Sequence, residues 1–348
     1  MNPTIKFLAL LVAVLIAVQL ASTAPLKKGK KGHKGHKHGA LPVKVVGNVK
    51  TGEHPIQKLP KGTPQAHGLA TNWTQPTTNS AVQNDGIPVS THRVTTLKNY
   101  ARLASTAYCV VGTENGPFTC GSYCDDFPET TIVKTFNTPK TSSIGFVARN
   151  DNNKAIYVAY RGSANLGSFI QDAKFVLTDY PPVAGAKVHY GFLEDQKETR
   201  EIVYDAVIQE MEKHEDYTLY MLGHSLGGTA AVLQALDFYQ NAGYDSSKMV
   251  VYTYGEPRIG NPAFVDYVDS LPINFFRTVN RNDIVPHLPP ENFGYQHHGN
   301  EHWIENASGD VVLCSTNEDS SCADSVVPFT SISSHLMYWD IKMSVFAC

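Results

Sequence analysis

The chain has 348 residues and a formal charge of −3, from 29 Lys+Arg against 32 Asp+Glu. Hydrophobic content of 42% and charged content of 18% exclude a wholly disordered protein and a coiled coil. The near-neutral total conceals a split: residues 1–80 carry eleven lysines and the single acid Glu53, whereas residues 81–348 hold 18 basic against 31 acidic side chains, a balance of −13.

Such asymmetry separates a tail from a body. In the tail, Lys6 precedes a twelve-residue apolar run, Phe7 to Val18, followed by the small residues Ala21, Ser22 and Ala24. The run is too short to span a bilayer and has the layout of a secretory signal peptide, expected over residues 1–24. Residues 25–80 open with KKGKKGHKGHKHG and continue rich in Pro, Gly, Thr and Asn. That composition cannot bury enough surface to offset chain entropy. We read it as a basic prosegment that docks on the acidic body, with the 25–80 boundary open. An anchor to anionic surfaces and a metal-binding tail using His33, His36 and His38 are the competing readings. Nucleic-acid binding lacks interleaved aromatic residues, and no transmembrane segment is expected. Asn72-Trp73-Thr74 in the tail and Asn306-Ala307-Ser308 in the body are glycosylation sequons.

Residues 81–348 are expected to form one domain in which strands alternate with amphipathic helices, an α/β sheet. Ile144–Arg149 and Ala155–Tyr160 flank the turn cluster Asn150-Asp151-Asn152-Asn153 and should pair as a hairpin. In SANLGSFIQDAKF, residues 163–175, Leu166, Phe169, Ile170 and Ala173 fall on one face of a short amphipathic helix. Helical spacing recurs over 194–213 and again over 226–241; further strands are expected at Thr218–Leu222, Met249–Tyr254 and Phe275–Val279. Six cysteines in an exported body suggest three disulfides, formally with fifteen pairings. Joining the neighbours Cys120 with Cys124 and Cys314 with Cys322 leaves Cys109 with Cys348. No pair has CxxC spacing, so zinc is the weaker reading.

Chemistry enters at Gly223-His224-Ser225-Leu226-Gly227, where GxSxG lies between an apolar strand and a helical pattern. Gly223 and Gly227 leave room for a sharp turn that exposes the serine, and the following helix directs amide N–H groups at the site. A serine hydroxyl needs a base, and the base needs an orienting acid. Asp283, just after the strand NFFRTVN, suits the acid; Asp266 and Asp269 are expected on a helix, as solvated acids. Spacing alone leaves His287, His297, His298, His302 and His335 open as the base.

The segments RGS (161–163), GHSLGG (223–228), YGEPRIGNP (254–262), NDIVPHLPP (282–290) and SSHL (333–336), in that order, resemble the filamentous-fungal, class 3 lipases of the Rhizomucor and Rhizopus type. The resemblance runs from about Tyr100 to Cys348. It implies an α/β-hydrolase fold with a mostly parallel central sheet flanked by helices and a short helical lid. It implies Ser225 as nucleophile, Asp283 as acid, His335 as base, and the three disulfides proposed above. Oxyanion donors are then Ser163 and the Leu226 N–H; His224 becomes a packing residue and His287 a structural one. The lid matches the segment bearing Leu166, Phe169 and Ile170, with Phe169 where the family commonly has Trp, and Asp172 expected to brace Ser163 in the open form. Phe175, Val285, Ile332 and Leu336 are placed along the acyl groove. The function so implied is that of a secreted, monomeric triacylglycerol lipase, without metal or cofactor, acting at a lipid–water interface. A feruloyl or other soluble carboxylesterase shares fold and triad, but its lid region tends to be more polar than LGSFI. A non-catalytic lipid-binding protein would not need Ser225, Asp283 and His335 together.

Overall fold

A computed structural model describes residues 86–163 and 175–348. The expected signal peptide (1–24), prosegment (25–80), sequon at Asn72, and lid residues Leu166, Phe169, Ile170 and Asp172 lie outside the described residues.

The strands are β1 (Ile87–Pro88), β2 (Thr130–Asn137), β3 (Ile144–Asn150), β4 (Ala155–Tyr160), β5 (Leu177–Asp179), β6 (Lys187–His189), β7 (Thr218–His224), β8 (Met249–Tyr254), β9 (Asn274–Asn280), β10 (Glu301–Ile304), β11 (Val311–Leu313), β12 (Met337–Tyr338) and β13 (Ile341–Lys342). Nine of them form one sheet in the order β1-β11-β10-β9-β8-β7-β4-β3-β2. Its centre, from β4 through β7, β8 and β9 to β10, is parallel. Antiparallel pairs complete both edges. The Asn150–Asn153 cluster closes the β3–β4 hairpin as expected, with Asn150 opposite Ala155 and the Asn150 side chain accepting from the Asn153 N–H at 2.7 Å.

Helices α1 (Thr91–Ser105), α2 (Ser122–Asp125), α3 (Tyr190–Lys213), α4 (Leu226–Asn241), α5 (Pro262–Ser270) and α6 (Ile332–His335) accompany the sheet. Side chains of β4 alternate between two cores. Ile156, Val158 and Tyr160 face the layer of α3 and α4, with Val203, Val207, Leu219, Met221 and Leu236. Ala155, Tyr157 and Ala159 face the opposite layer, where Leu97, Ala101 and Ala104 of α1 pack with Leu222 and Tyr254. A parallel strand covered on both faces reads as a continuous apolar run, which explains AIYVAY. Asp266 and Asp269 sit on the exposed side of α5, so neither reaches the sheet's carboxyl edge.

The cysteines pair 109–348, 120–124 and 314–322. The first bond ties the segment after α1 to the last residue of the chain.

Candidate active site

The turn from β7 to α4 creates the central feature. Ser225 adopts φ 58° and ψ −130°, a conformation that L-residues rarely take, and its N–H is held by the Tyr254 carbonyl at 2.9 Å. Space makes the turn feasible. A Cβ on Gly223 would overlap the Gly227 backbone, and one on Gly227 would overlap the Tyr160 carbonyl. The second contact brings the end of β4 against the start of α4. Gly162 continues it: a Cβ there would lie 2.7 Å from both the His224 carbonyl and the Ser225 Cβ. Ser163 therefore follows directly beside the Ser225 turn. Leu226 is the first residue of α4, so its N–H is among those without an intrahelical acceptor, at the positive end of the helix.

Asp283 and His335 meet across the end of β9. His335 Nδ1 lies 3.0 Å from Asp283 Oδ1 and 2.9 Å from Oδ2, with both side chains buried. The carboxylate also accepts the Val285 N–H at 2.9 Å and the Tyr338 hydroxyl at 2.6 Å. Burial and the facing Asp283 charge push the Tyr338 phenol well above its ordinary value, so it donates as a neutral hydroxyl. The His335 loop is fastened to β9 by three side-chain bonds. Asn280 Nδ2 donates to the carbonyls of Ser334 (2.9 Å) and Met337 (2.7 Å), and the Ser334 hydroxyl donates to Asn282 Oδ1 at 2.7 Å.

Ser225 Oγ and His335 Nε2 are buried and make no hydrogen bond among the described residues. Both atoms are thus unengaged, and in unliganded sites hydrogen bonds of this kind are often long and tighten when a ligand is bound.

His224, next to Ser225 in the chain and facing the His335 ring, does more than pack. Its Nε2 is 2.9 Å from the His335 carbonyl, which can only accept, so Nε2 carries the proton. Its Nδ1 then accepts from the Tyr108 hydroxyl at 2.6 Å. Burial and the neighbouring His335 ring hold the His224 imidazole well below its ordinary pKa, hence neutral, as both bonds require. The two imidazoles face each other at 4.3 Å. Gly255, at φ +60°, closes the back of the site. A Cβ there would stand 2.8 Å from Asp283 Oδ2 and from His335 Cε1 and Nδ1.

The other histidines after Asp283 are occupied elsewhere. His287 pairs with Asp324 at 3.1 Å, His297 donates to the Pro286 carbonyl at 2.7 Å, and His298 meets Glu256 at 3.0 Å. His302 donates to the Asn300 carbonyl at 3.0 Å. Of the proposed groove residues, Phe175, Val285 and Ile332 share a cluster with Ile284 and Leu288. Val285 is wholly buried within it, whereas Leu336, beside His335, is 39% exposed. Tyr108, Gly255, Asn280, Asn282 and Tyr338 were not singled out from the sequence. Gly255 and Asn282 lie in recognisable motifs and Asn280 ends the central strand β9; Tyr108 and Tyr338 are brought in by the segments near the two ends of the described residues.

Two side-chain groups among the described residues have metal-ligand spacing. In the first, Cys314 and Cys322 are bonded to each other and Glu301 pairs with Arg277. In the second, Arg258 sits among Glu291, Glu318 and Asp324. Each group already has its own counter-charge or bond.

A strained serine between strand and helix, with a buried aspartate just past β9 paired to a histidine at the end of α6, defines an α/β-hydrolase. Residues 157–293 match the family model for class 3 lipases. The chain is 40% identical over 292 residues to a lipase of Rhizomucor miehei, covering 82% of this chain and 80% of that one. A lipase of Rhizopus niveus is 39% identical over 270 residues, covering 76% and 68%. Among solved structures, the Rhizomucor miehei lipase propeptide complex aligns with TM-score 0.69 at 40% identity, over 74% of this chain and 83% of that one. A triacylglycerol lipase whose catalytic centre is described as a serine protease triad aligns with TM-score 0.69 over 74% and 98%, also at 40% identity. The chain belongs to the class 3 lipase family.

Proposed function

We propose that this protein is a secreted triacylglycerol lipase using Ser225, His335 and Asp283. The observation that carries the reading is the conjunction of a left-handed Ser225 with the His335–Asp283 pair at 2.9–3.0 Å, in a chain 40% identical to a lipase. Ser225 Oγ attacks the ester carbonyl carbon while His335 Nε2 takes its proton. The tetrahedral oxyanion is held by the N–H groups of Ser163 and Leu226; one such donor contributes about 2.7–4 kcal/mol. Collapse breaks the C–O bond, and His335 returns the proton to the leaving alcohol. Water then repeats the sequence on the acyl-enzyme and frees the fatty acid. Asp283 fixes the Nδ1–H tautomer and stabilises the cationic ring.

The apolar cluster around Phe175, Val285 and Ile332 supports an acyl groove. The amphipathic pattern at Leu166, Phe169 and Ile170 supports a lid that exchanges protein contact for lipid. Each large side chain would cost about 1.5–3 kcal/mol if exposed to water instead. Export rests on the N-terminal pattern and on relatives named as secreted lipases. No helix among the described residues is long and apolar enough to cross a membrane. The prosegment, residues 25–80, acts as an intramolecular partner of the 81–348 domain. Its charge of +9, ten lysines against Glu53, meets a −13 body, and a relative is known as a propeptide complex.

Ser225→Ala tests the assignment. Hydrolysis of emulsified triglyceride should disappear while the folded protein keeps its melting temperature; substantial remaining activity refutes it.

A further inference from the structure

The sequon Asn306-Ala307-Ser308 is left unused by the proposed function, and it stands beside a surface cavity. Glu305 to Asp310 turn the β10–β11 hairpin, closed by the Gly309 N–H on the Asn306 carbonyl at 3.2 Å. Ala307 and Ser308 are exposed at its tip. Asn306 Nδ2 gives one hydrogen to Asp310 Oδ2 at 2.9 Å, while its Oδ1 accepts the Asp310 N–H at 3.2 Å. A primary amide has two N–H groups. The second can be replaced by a substituent without breaking either bond.

The cavity next to the turn has a volume of about 590 Å³, within the ~300–1,000 Å³ range of pockets that hold small ligands. Its lining includes Asn306, Ser308, Trp339, Asn280, Ser334 and Met337. The Trp339 indole is bound to the turn itself, its Nε1–H donating to the Gly309 carbonyl at 3.1 Å. Trp339 holds φ 55° to do so, and Gly309 has no room for a Cβ because Trp339 Cδ1 would stand 2.6 Å away. Strained non-glycine backbone of this kind persists where the surroundings over-determine it. The opposite wall is the segment that carries His335, fastened through Asn280.

We propose that Asn306 carries an N-linked oligosaccharide whose first sugar occupies this cavity, braced by Trp339, and so supports the His335 loop from behind. The inference rests on the reading of the chain as exported. Asn306 Nδ2 displaces the diphosphate from C1 of a lipid-linked oligosaccharide. The C1–O bond breaks, the N–C1 bond forms, and the amide proton leaves with the lipid diphosphate. The Trp339 indole and the polar groups around it suit a sugar with an acetamido substituent, which offers both apolar C–H faces and hydrogen-bonding groups.

The test uses the full chain expressed in a eukaryotic secretory host. Peptide mass spectrometry after peptide N-glycosidase treatment in heavy-oxygen water should mark Asn306 as a labelled Asp. Protein in the medium with bare Asn306 overturns the modification, whereas protein that never leaves the cell overturns the exported reading instead. Seating in the cavity is tested by stability. Ser308 makes no hydrogen bond among the described residues, so Ser308→Ala removes the sugar without touching the turn. Its melting temperature should fall by about 2–4 °C. Trimming the wild-type glycan to its first sugar should leave the melting temperature unchanged. Equal melting temperatures for Ser308→Ala and wild type, or a fall on trimming, overturn the seating.

Discussion

Gly255→Ala probes the site at a position that touches the proposed base and acid without supplying any reacting atom. The added methyl would lie 2.8 Å from Asp283 Oδ2 and from His335 Cε1 and Nδ1. Comfortable contacts are about 3.5–4.0 Å, so the imidazole–carboxylate pair must retreat by roughly 0.7 Å or more. A displacement near 1 Å costs about 100-fold in a positioned reaction. The backbone pays separately, because alanine at φ +60° costs about 1–2 kcal/mol. That strain is affordable within ~5–15 kcal/mol of stability. Gly185 separates the two effects, for it has φ +78° and nothing within 4 Å of its ideal Cβ. Gly185→Ala should therefore lose stability and keep activity. Initial rates on a soluble short-chain ester, with melting temperatures for both variants, make the comparison. The reasoning predicts a fall of about 100-fold for Gly255→Ala alone. A Gly255→Ala enzyme within threefold of wild type, or equal losses in both variants, refutes it.

Other variants address the supports of the site. Tyr338→Phe removes the 2.6 Å donor from the buried Asp283 carboxylate. Such a bond contributes about 1.5–3 kcal/mol, so kcat/KM should drop by at least about tenfold; an unchanged value means the hydroxyl is dispensable. Burial pushes the Asp195 carboxyl up to about 6. A raised carboxyl favours folding below the unfolded value near 3.9, and that contribution is lost as pH rises through 6. Asp195→Asn should thus raise the melting temperature at pH 8 but not at pH 4, and equal effects at both contradict this. Cys109–Cys348 closes a span of 239 residues. Its loss through Cys348→Ser should destabilise the protein by about 2–5 kcal/mol in denaturant titration, and an unchanged midpoint would show the staple to be inert.

Legibility in the sequence followed the range of the interaction. The buried strand AIYVAY and the helix Leu226–Asn241 have the observed bounds, because apolar runs and glycine punctuation act locally. The α3 helix begins at Tyr190, ahead of the expected 194, since His189 accepts the Gly191 N–H and starts the helix early. The α1 helix was not singled out, although Ser90 caps it and Leu97, Ala101 and Ala104 share a face. Its small alanines and intervening Thr and Lys weaken the periodic contrast. At the site, strand–turn–helix context singles out Ser225 as the candidate, and the structure has that context, but no local pattern separates five histidines. That choice depends on which imidazole the sheet brings to Asp283, a contact 52 residues apart. Tyr108 and Tyr338 are further examples. Each is an ordinary tyrosine in sequence, and only the packing of the segment after α1 and of β12 around His224 and Asp283 gives it a partner.

The central claim is an interfacial ester hydrolase built on Ser225. Its most direct measurement is initial rate against triglyceride concentration through the solubility limit, for wild type and Ser225→Ala side by side. Wild type should show a sharp rise once droplets form, and the variant no hydrolysis at any concentration. A wild-type curve that saturates below the limit with no further rise, or a variant that retains the rise, contradicts the claim.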